Sequence, residues 1–147
     1  MSLKNHILRT YEKKVQRSWD TIYWAVDIHD TCVAANYKGG EIPTQFFDHA
    51  ERVLKRISDR QDSKLILFTC SHPHEIELYL EFFKERGIVF NYTNENPEAE
   101  NTSYGFYEKK FYCQILLDDK AGFDATEDWQ IIDTALDLID EKYPSLK

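Results

Sequence analysis

The feature that most constrains this chain is an apolar run that ends in acidic residues. Ile22–Val26 is typical of a buried strand, and Asp27-Ile28-His29-Asp30-Thr31 follows it directly. A carboxylate at the end of a buried strand needs a cation, a hydrogen-bond network or a shifted pKa. A second run, Ile115–Leu117, ends in the same way, in Asp118-Asp119. Two such strand ends predict one site that holds a divalent metal between carboxylates.

Short apolar runs alternate along the chain with stretches in which apolar residues recur at helical spacing. The runs predict strands at about residues 21–27, 64–69, 88–90 and 111–117. The helical stretches are expected before the first strand, after Thr44, after Pro73 and around residues 129–139. Such alternation gives parallel strands joined by right-handed crossovers. We therefore expect a single α/β domain over residues 1–147, a Rossmann-like three-layer sandwich with a mainly parallel sheet of about four or five strands.

Three polar side chains follow strands of this predicted sheet. Asp27, Thr69 and Asp118 each come at the carboxyl end of a run. Ligands of such sheets bind beyond the carboxyl ends, where the chain order reverses. The three residues are therefore expected to converge. The alternative for each Asp is a structural cap on the following loop or helix.

The charge of the chain limits its partners. The formal net charge is -8 and the sequence pI is near 5.1. This balance argues against general nucleic-acid binding and against binding to anionic membranes. A small phosphorylated substrate remains compatible, because a bound metal can reverse the local field.

The cysteines and the hydrophobic pattern indicate a cytoplasmic protein. Cys32, Cys70 and Cys113 form no close pair in sequence, so reduced thiols are expected. The N-terminus has no hydrophobic signal core, and no apolar run approaches the roughly 20 residues of a membrane span. A small aromatic-rich domain can also pair, so a homo-oligomer is among the expected states.

The acidic strand ends resemble the haloacid dehalogenase (HAD) superfamily of aspartate-nucleophile phosphatases. Asp27-Ile28-His29-Asp30-Thr31 is similar to the first motif of that family, an apolar strand followed by Asp-x-Asp-x-Thr. Leu67-Phe68-Thr69 resembles the second motif, and Lys109 or Lys110 the third. Leu116-Leu117-Asp118-Asp119 resembles the fourth, and the resemblance covers about residues 20–125.

The resemblance implies a Mg2+-dependent phosphatase that acts through an aspartyl-phosphate on a small phosphorylated substrate. Asp27 would be the nucleophile, and Thr69 and Lys110 would bind phosphoryl oxygens, with Lys110 preferred over Lys109 because it lies nearer the strand. Asp27, Asp118 and the backbone carbonyl of His29 would hold Mg2+, with Asp119 supporting the ion directly or through a water.

His29 departs from the family pattern, which usually has a second Asp two residues after the nucleophile. Imidazole can do general acid–base work near neutral pH. His29 can replace that Asp, the enzyme can be slow and prefer good leaving groups, or the chain can be a phosphate- or metal-binding relative without turnover. Asp30 is expected to form a turn, and the Thr31 hydroxyl to orient the loop that carries Asp27.

The spacing between the motifs leaves no room for a cap domain, so an HAD-like core with an open site is expected. The loops at residues 36–43 and 91–108 are predicted walls of that site. Their tyrosines, which can stack on a base or sugar or pack against neighbouring loops, are Tyr37, Tyr92, Tyr104 and Tyr107.

Two other functions remain open. Cys70-Ser71-His72-Pro73-His74 lies near His29 and Cys32 if the first two strands are neighbours, which would allow a zinc site. A response-regulator-like receiver also carries acids near a phosphorylated Asp, although its paired acids follow the first strand. Neither alternative fits the order of motifs as well as the phosphatase does.

Overall fold

The computed structural model describes residues 2–36 and 41–146. Part of one predicted wall, the loop at 36–43 with Tyr37, lies outside the described residues. Within them, four helices and four strands follow one another along the chain. In order, they are α1 Leu3–Gln16, β1 Ile22–Val26, α2 Ala50–Asp59, β2 Ser63–Leu67, α3 Pro73–Lys84, β3 Phe90–Thr93, β4 Ile115–Leu117 and α4 Asp128–Lys142.

The four strands form one parallel sheet in the order β3-β2-β1-β4. Trp24 in the centre of β1 lies opposite Leu65 of β2 and Ile115 of β4. The chain moves from β1 outward to β3 and then returns to the other side of β1 to form β4. The order therefore reverses between β1 and β4, where ligands bind in sheets of this kind.

One face of the sheet carries the hydrophobic core. Ile22, Trp24 and Val26 alternate with Tyr23 and Ala25 along β1, so they point to the opposite face from these two. They join one buried cluster with side chains of all four helices, among them Tyr11, Val53, Leu54, Phe83, Trp129 and Leu136. The helices therefore cover this face together.

An irregular segment, residues 94–114, covers the other face of the sheet. Glu98 in this segment accepts hydrogen bonds from Tyr23, Lys64 and Tyr92. Tyr112 packs edge-on against Tyr23. A β-bulge in the pairing of β2 with β3 separates Phe90, which packs on the helical side, from Tyr92. The three layers are helices, sheet and irregular segment.

The predicted α/β fold with a mainly parallel, Rossmann-like sheet is confirmed. Pro73 opens α3, as expected, and the three cysteines are free thiols. No helix among the described residues combines the length and apolarity that crossing a membrane requires.

The second helix starts later than the sequence predicts. The prediction placed its start after Thr44, with Phe46 and Phe47 on the apolar face, but α2 begins at Ala50. The backbone before it pairs with the loop after β1 instead: Phe47 N–H donates to Cys32 O at 3.0 Å, and Ala34 N–H donates to Gln45 O at 3.1 Å. These bonds hold the preceding residues in an extended conformation.

The strands β3 and β4 also differ from the prediction. β4 was expected over 111–117 but contains Ile115–Leu117, because the Gln114 side chain takes the place of the next backbone partner. Gln114 Oε1 accepts from Tyr23 N–H at 2.7 Å, and its amide donates to Thr21 O at 3.3 Å. The third strand was expected at 88–90 and lies at Phe90–Thr93.

A buried arginine joins α2 to α4 and to the start of β2. The Arg60 side chain is 4% exposed and forms two parallel hydrogen bonds of 3.0 Å with Asp62. Its third bond, of 2.7 Å, goes to Asp140 of α4. Burial alone would raise the pKa of Asp140, but hydrogen bonds from Arg60 and Arg56 outweigh it and hold this pKa below its ordinary value.

Replacing Arg60 should therefore destabilise the fold strongly. Arg60→Met leaves Asp62 buried without its cation, and we expect a loss of about 3–5 kcal/mol in the free energy of unfolding at pH 7. The exposed pair of Lys55 with Asp59 provides the control, since Lys55→Met should cost about 0–1 kcal/mol. Urea unfolding measures the free energy of unfolding of both variants and of wild type.

The same loss should depend on pH. The pKa of Asp140 is lower in the folded protein than in the unfolded chain, where it is near 4. Its contribution to stability is therefore complete above pH 4 and is lost as the pH falls through the folded-state pKa. The difference between wild type and Arg60→Met should shrink in acid. A difference that stays constant down to the acid transition would contradict the role of Asp140.

Candidate functional site

Two aspartates meet where the chain order of the sheet reverses. Asp27 follows β1 and Asp118 follows β4, and the backbone N–H of Asp27 donates to Leu117 O at 2.9 Å. Carboxylate oxygens of Asp27, Asp118 and Asp119 lie within 4.8 Å of one another. The predicted convergence of the two strand ends is confirmed for these acids.

The proximity of the acids changes the titration of Asp27. Burial and the negative charge of Asp118 raise the pKa of Asp27 to about 7. The hydrogen bond from Thr31 opposes this shift without cancelling it. Without a cation, the folded protein therefore keeps a proton on Asp27 at pH values where an ordinary Asp is ionised.

Thr31 connects the two acidic loops. Its hydroxyl donates to Asp27 Oδ2 at 3.1 Å and accepts from the backbone N–H of Asp119 at 3.0 Å. The Thr31 side chain is buried, and the Trp129 indole N–H donates to its carbonyl at 2.8 Å. The prediction that Thr31 orients the Asp27 loop is confirmed.

Asp30 shapes the same loop. Its backbone is left-handed, with φ of 58°, which Asp tolerates better than most residues. Asp30 Oδ1 accepts from Ala35 N–H at 3.0 Å. The prediction of a turn-forming Asp is confirmed.

The carboxylate of Asp119 indicates what kind of ligand the cluster fits. Its Oδ1 is buried and has no hydrogen-bond partner among the described residues. A buried carboxylate oxygen without a donor is costly unless a cation or water meets it. Because all the nearby ligands are carboxylate oxygens, the set fits a hard cation such as Mg2+.

The described residues contain no comparable cluster for zinc. Among the described His, Cys, Asp and Glu residues, the group formed by the three aspartates is the one compact enough to hold a metal. The rings of His72 and His74 stack on each other at 5.9 Å. The alternative zinc site at residues 70–74 therefore gains no support from the fold.

A cleft of about 430 Å³ opens beside the acidic cluster. Two of the acids, Asp27 and Asp118, line it together with His29. The rest of the lining comes from the loops after β1, β2 and β4 and from the start of α3. These further lining residues are Asp30, Asn36, Cys70, Ser71, His72, Glu75 and Lys120.

One nitrogen of the His29 ring lies at hydrogen-bonding distance from a tyrosine hydroxyl. Its Nε2 lies 2.7 Å from the hydroxyl of Tyr79, and the two rings meet edge to face at 5.6 Å. Tyr79 belongs to α3 and is fully buried. His29 also lines the cleft beside Asp27, as the Asp27-x-His29 spacing predicts.

Thr69 lies at the end of β2 but bonds locally. Its hydroxyl is 2.9 Å from the Ser71 hydroxyl and accepts from Ser71 N–H at 3.1 Å. The Asn94 side chain bonds both the N–H and the carbonyl of Thr69. Ser71 lines the cleft, whereas Thr69 is not among its lining residues, so the expected convergence does not extend to Thr69.

The lysine in the cleft is not the one expected from the sequence. Lys109 and Lys110 are exposed and are absent from the cleft lining, while Lys120 lines it. The Lys120 ammonium lies 3.9 Å from Asp119 Oδ2. The sequence signal for Lys120 was its position immediately after the acidic pair, which a motif search for a lysine before the strand overlooks.

The predicted wall at 91–108 contributes no residue to this cleft. The segment does not reach the cleft because Glu98 holds it over the other face of the sheet. Tyr92 bonds Glu98 and Tyr107 packs against Tyr112, as expected for packing tyrosines. Tyr104 is 97% exposed.

Comparison with known proteins supports the fold alone. No family model matches the chain, and no curated protein is significantly similar to it. The chain resembles the solved structure of a conserved protein from Bacteroides thetaiotaomicron, with a TM-score of 0.61 and 23% identity. The match covers 83% of this chain and 92% of that chain. At this identity, the likeness defines the class as α/β with a Rossmann-like parallel sheet and says nothing about activity.

The raised pKa of Asp27 predicts how the metal-free protein responds to pH. An unfolded Asp ionises near pH 4, while folded Asp27 keeps its proton to about pH 7, so the free energy of unfolding falls across this interval. Asp27→Asn removes this pH dependence, because an amide does not ionise. We expect the variant to exceed wild type by about 1–2 kcal/mol at pH 8, a value reduced for solvent screening, and to match it at pH 4.

Urea unfolding in a chelator measures this difference, with exposed Asp59→Asn as the control. Adding Mg2+ at pH 8 should stabilise wild type more than Asp27→Asn, because the amide removes one ligand charge. Equal stabilisation of both proteins would show that Asp27 holds no cation.

Proposed function

We propose that the chain is a Mg2+-dependent phosphohydrolase that forms an aspartyl-phosphate on Asp27 with a small phosphorylated substrate. The observation that supports this most is the group of three aspartates at the point where the strand order reverses. Its position matches the site that open parallel sheets use for ligands. The HAD-like motif order adds to the argument as a resemblance.

Asp27 is the proposed nucleophile. One carboxylate oxygen bonds to phosphorus while the bond to the leaving-group oxygen breaks, and water later hydrolyses the acyl phosphate. Thr31 holds Oδ2 and so fixes the orientation of the carboxylate. Attack requires the ionised form, which burial and Asp118 disfavour in the absence of a cation.

Asp27, Asp118 and the carbonyl of His29 are the proposed Mg2+ ligands, with Asp119 beside them. Bound Mg2+ would supply positive charge that offsets the carboxylates and the phosphate. The buried, unpartnered Oδ1 of Asp119 supports this assignment, because it needs a cation or an ordered water.

Asp27→Asn should abolish turnover and leave the fold intact. The amide keeps the shape and can still accept the Thr31 hydrogen bond, but it cannot attack phosphorus. We expect a loss on the order of 10⁴–10⁶-fold, as for other removed nucleophiles. A screen of phosphorylated metabolites with Mg2+ measures it, with Asp59→Asn as a surface control. Unchanged turnover in Asp27→Asn would exclude the proposed reaction.

The two lysines allow a matched test of phosphate binding. Lys120 lines the cleft and Lys110 does not, so Lys120→Met should weaken inhibition by inorganic phosphate about three- to tenfold. The expected effect is modest because the ammonium is exposed and screened. Lys110→Met makes the same chemical change and should leave inhibition near the wild-type value. A larger loss in Lys110→Met would restore the lysine expected from the sequence.

A phosphate-binding relative without turnover is the second candidate, and His29 in place of the usual Asp favours it. The two candidates differ in what happens after Asp27 is phosphorylated. In a relative without turnover, incubation with a small phosphodonor such as acetyl phosphate would leave a stable phosphoryl group on Asp27 without release of phosphate. Intact-mass measurement beside a phosphate-release assay separates the two candidates.

A further inference from the structure

The hydroxyl of Tyr79 has one hydrogen-bond partner among the described residues, and this partner is Nε2 of His29. Tyr79 is fully buried, so water is not at hand to replace a missing partner. A phenol has an ordinary pKa near 10 and keeps its hydrogen at neutral pH. When the hydroxyl is buried, that hydrogen needs an acceptor.

Only one arrangement of hydrogens satisfies both atoms. If Tyr79 donates, Nε2 of the neutral imidazole accepts and the ring hydrogen sits on Nδ1. If Nε2 carried the hydrogen and donated to Tyr79, the phenol hydrogen would be buried without an acceptor among the described residues. An unsatisfied buried donor is costly, so the first arrangement is favoured.

We propose that Tyr79 is a positioning residue that holds His29 with Nδ1–H toward the cleft, so that His29 donates a hydrogen bond to the substrate and does not transfer a proton. A neutral ring that gave up its Nδ1 proton to a leaving group would become an imidazolate, which is too basic to form near neutral pH. Proton donation would need the imidazolium, whose second hydrogen lies on Nε2 and faces the Tyr79 hydroxyl. That form has the costly arrangement described above. The hydrogen bond from Tyr79 therefore opposes proton transfer and supports hydrogen bonding.

This inference rests on the proposed function and narrows its substrate class. Without a proton donor, the leaving-group oxygen must depart with its electron pair as an anion, while Asp27 forms the new bond to phosphorus. Acyl phosphates, phosphoanhydrides and aryl phosphates have leaving groups stable enough for this. Alkyl phosphates do not, because an alkoxide needs a proton to leave.

The first arm of the test reads the His29 ring directly and needs no activity. Two-bond ¹H–¹⁵N NMR spectra distinguish the Nδ1–H from the Nε2–H tautomer, and His29→Gln identifies the His29 signals among the five histidines. We expect Nδ1–H in wild type and a shift toward a tautomer mixture in Tyr79→Phe. Tyr23→Phe, which removes a hydroxyl from the other face of the sheet, should leave the His29 signals unchanged.

The second arm compares leaving groups with Mg2+ present. Wild type should turn over acetyl phosphate and 4-nitrophenyl phosphate at least about 10²-fold faster than ethyl phosphate, since general acid help is worth roughly 10²–10⁴-fold. His29→Ala should lower kcat for both activated substrates by a similar factor, about 10²-fold. His29→Asn, which keeps an N–H donor but cannot transfer a proton, should recover part of that loss. Tyr79→Phe should lower kcat about tenfold and leave KM nearly unchanged.

The outcomes separate the two proposals. An Nε2–H tautomer in wild type, or a tautomer that Tyr79→Phe does not change, would overturn the positioning role whatever the activity. A loss in His29→Ala confined to ethyl phosphate would show proton donation and overturn the hydrogen-bond role. Absence of turnover with every substrate would reject the phosphohydrolase and its substrate class, while the NMR result would still decide the role of Tyr79.

Discussion

The mutual repulsion of three carboxylates at one end of the sheet is the constraint on which the site depends. Asp27, Asp118 and Asp119 are brought together by strand pairing, which buries them partly and leaves one oxygen unpartnered. The hydrophobic core supplies the free energy that holds β1 beside β4 despite this repulsion. Thr31 fixes the orientation of the two acidic loops relative to each other, because its single hydroxyl bonds both. The fold itself therefore holds the three carboxylates in one compact group.

Much of this arrangement could be predicted from the sequence, because strand ends in parallel sheets obey a simple geometry. The runs before Asp27 and Asp118 predicted two parallel strands, and parallel strands place their carboxyl ends at one edge. The turn role of Asp30 and the role of Thr31 in orienting the Asp27 loop followed from residue chemistry. These predictions needed only local pattern and topology, and no knowledge of which side chains meet across the fold.

The parts that could not be predicted depend on tertiary contacts between distant residues. The bond from Tyr79 to His29 spans 50 positions and depends on how α3 packs beside the loop after β1. The late start of α2 results from backbone pairing with Cys32 and Ala34, which overrides the helical spacing of Phe46 and Phe47. Lys120 reaches the cleft because the turn after Asp118 places it there, while Lys110 lies on a segment drawn elsewhere.

The irregular layer over the second face has a consequence for motion. Glu98 anchors that layer to the sheet through three polar donors, and Tyr112 and Phe111 add aromatic contacts, whereas the helical layer shares one continuous apolar core. Polar anchors exchange readily with water, and buried apolar contacts do not. We therefore expect the segment at 94–114 to open locally more easily than the helical layer. Asn94 at the start of that segment bonds Thr69, and Thr69 bonds Ser71 of the cleft lining, so such an opening would reach the cleft through these two contacts.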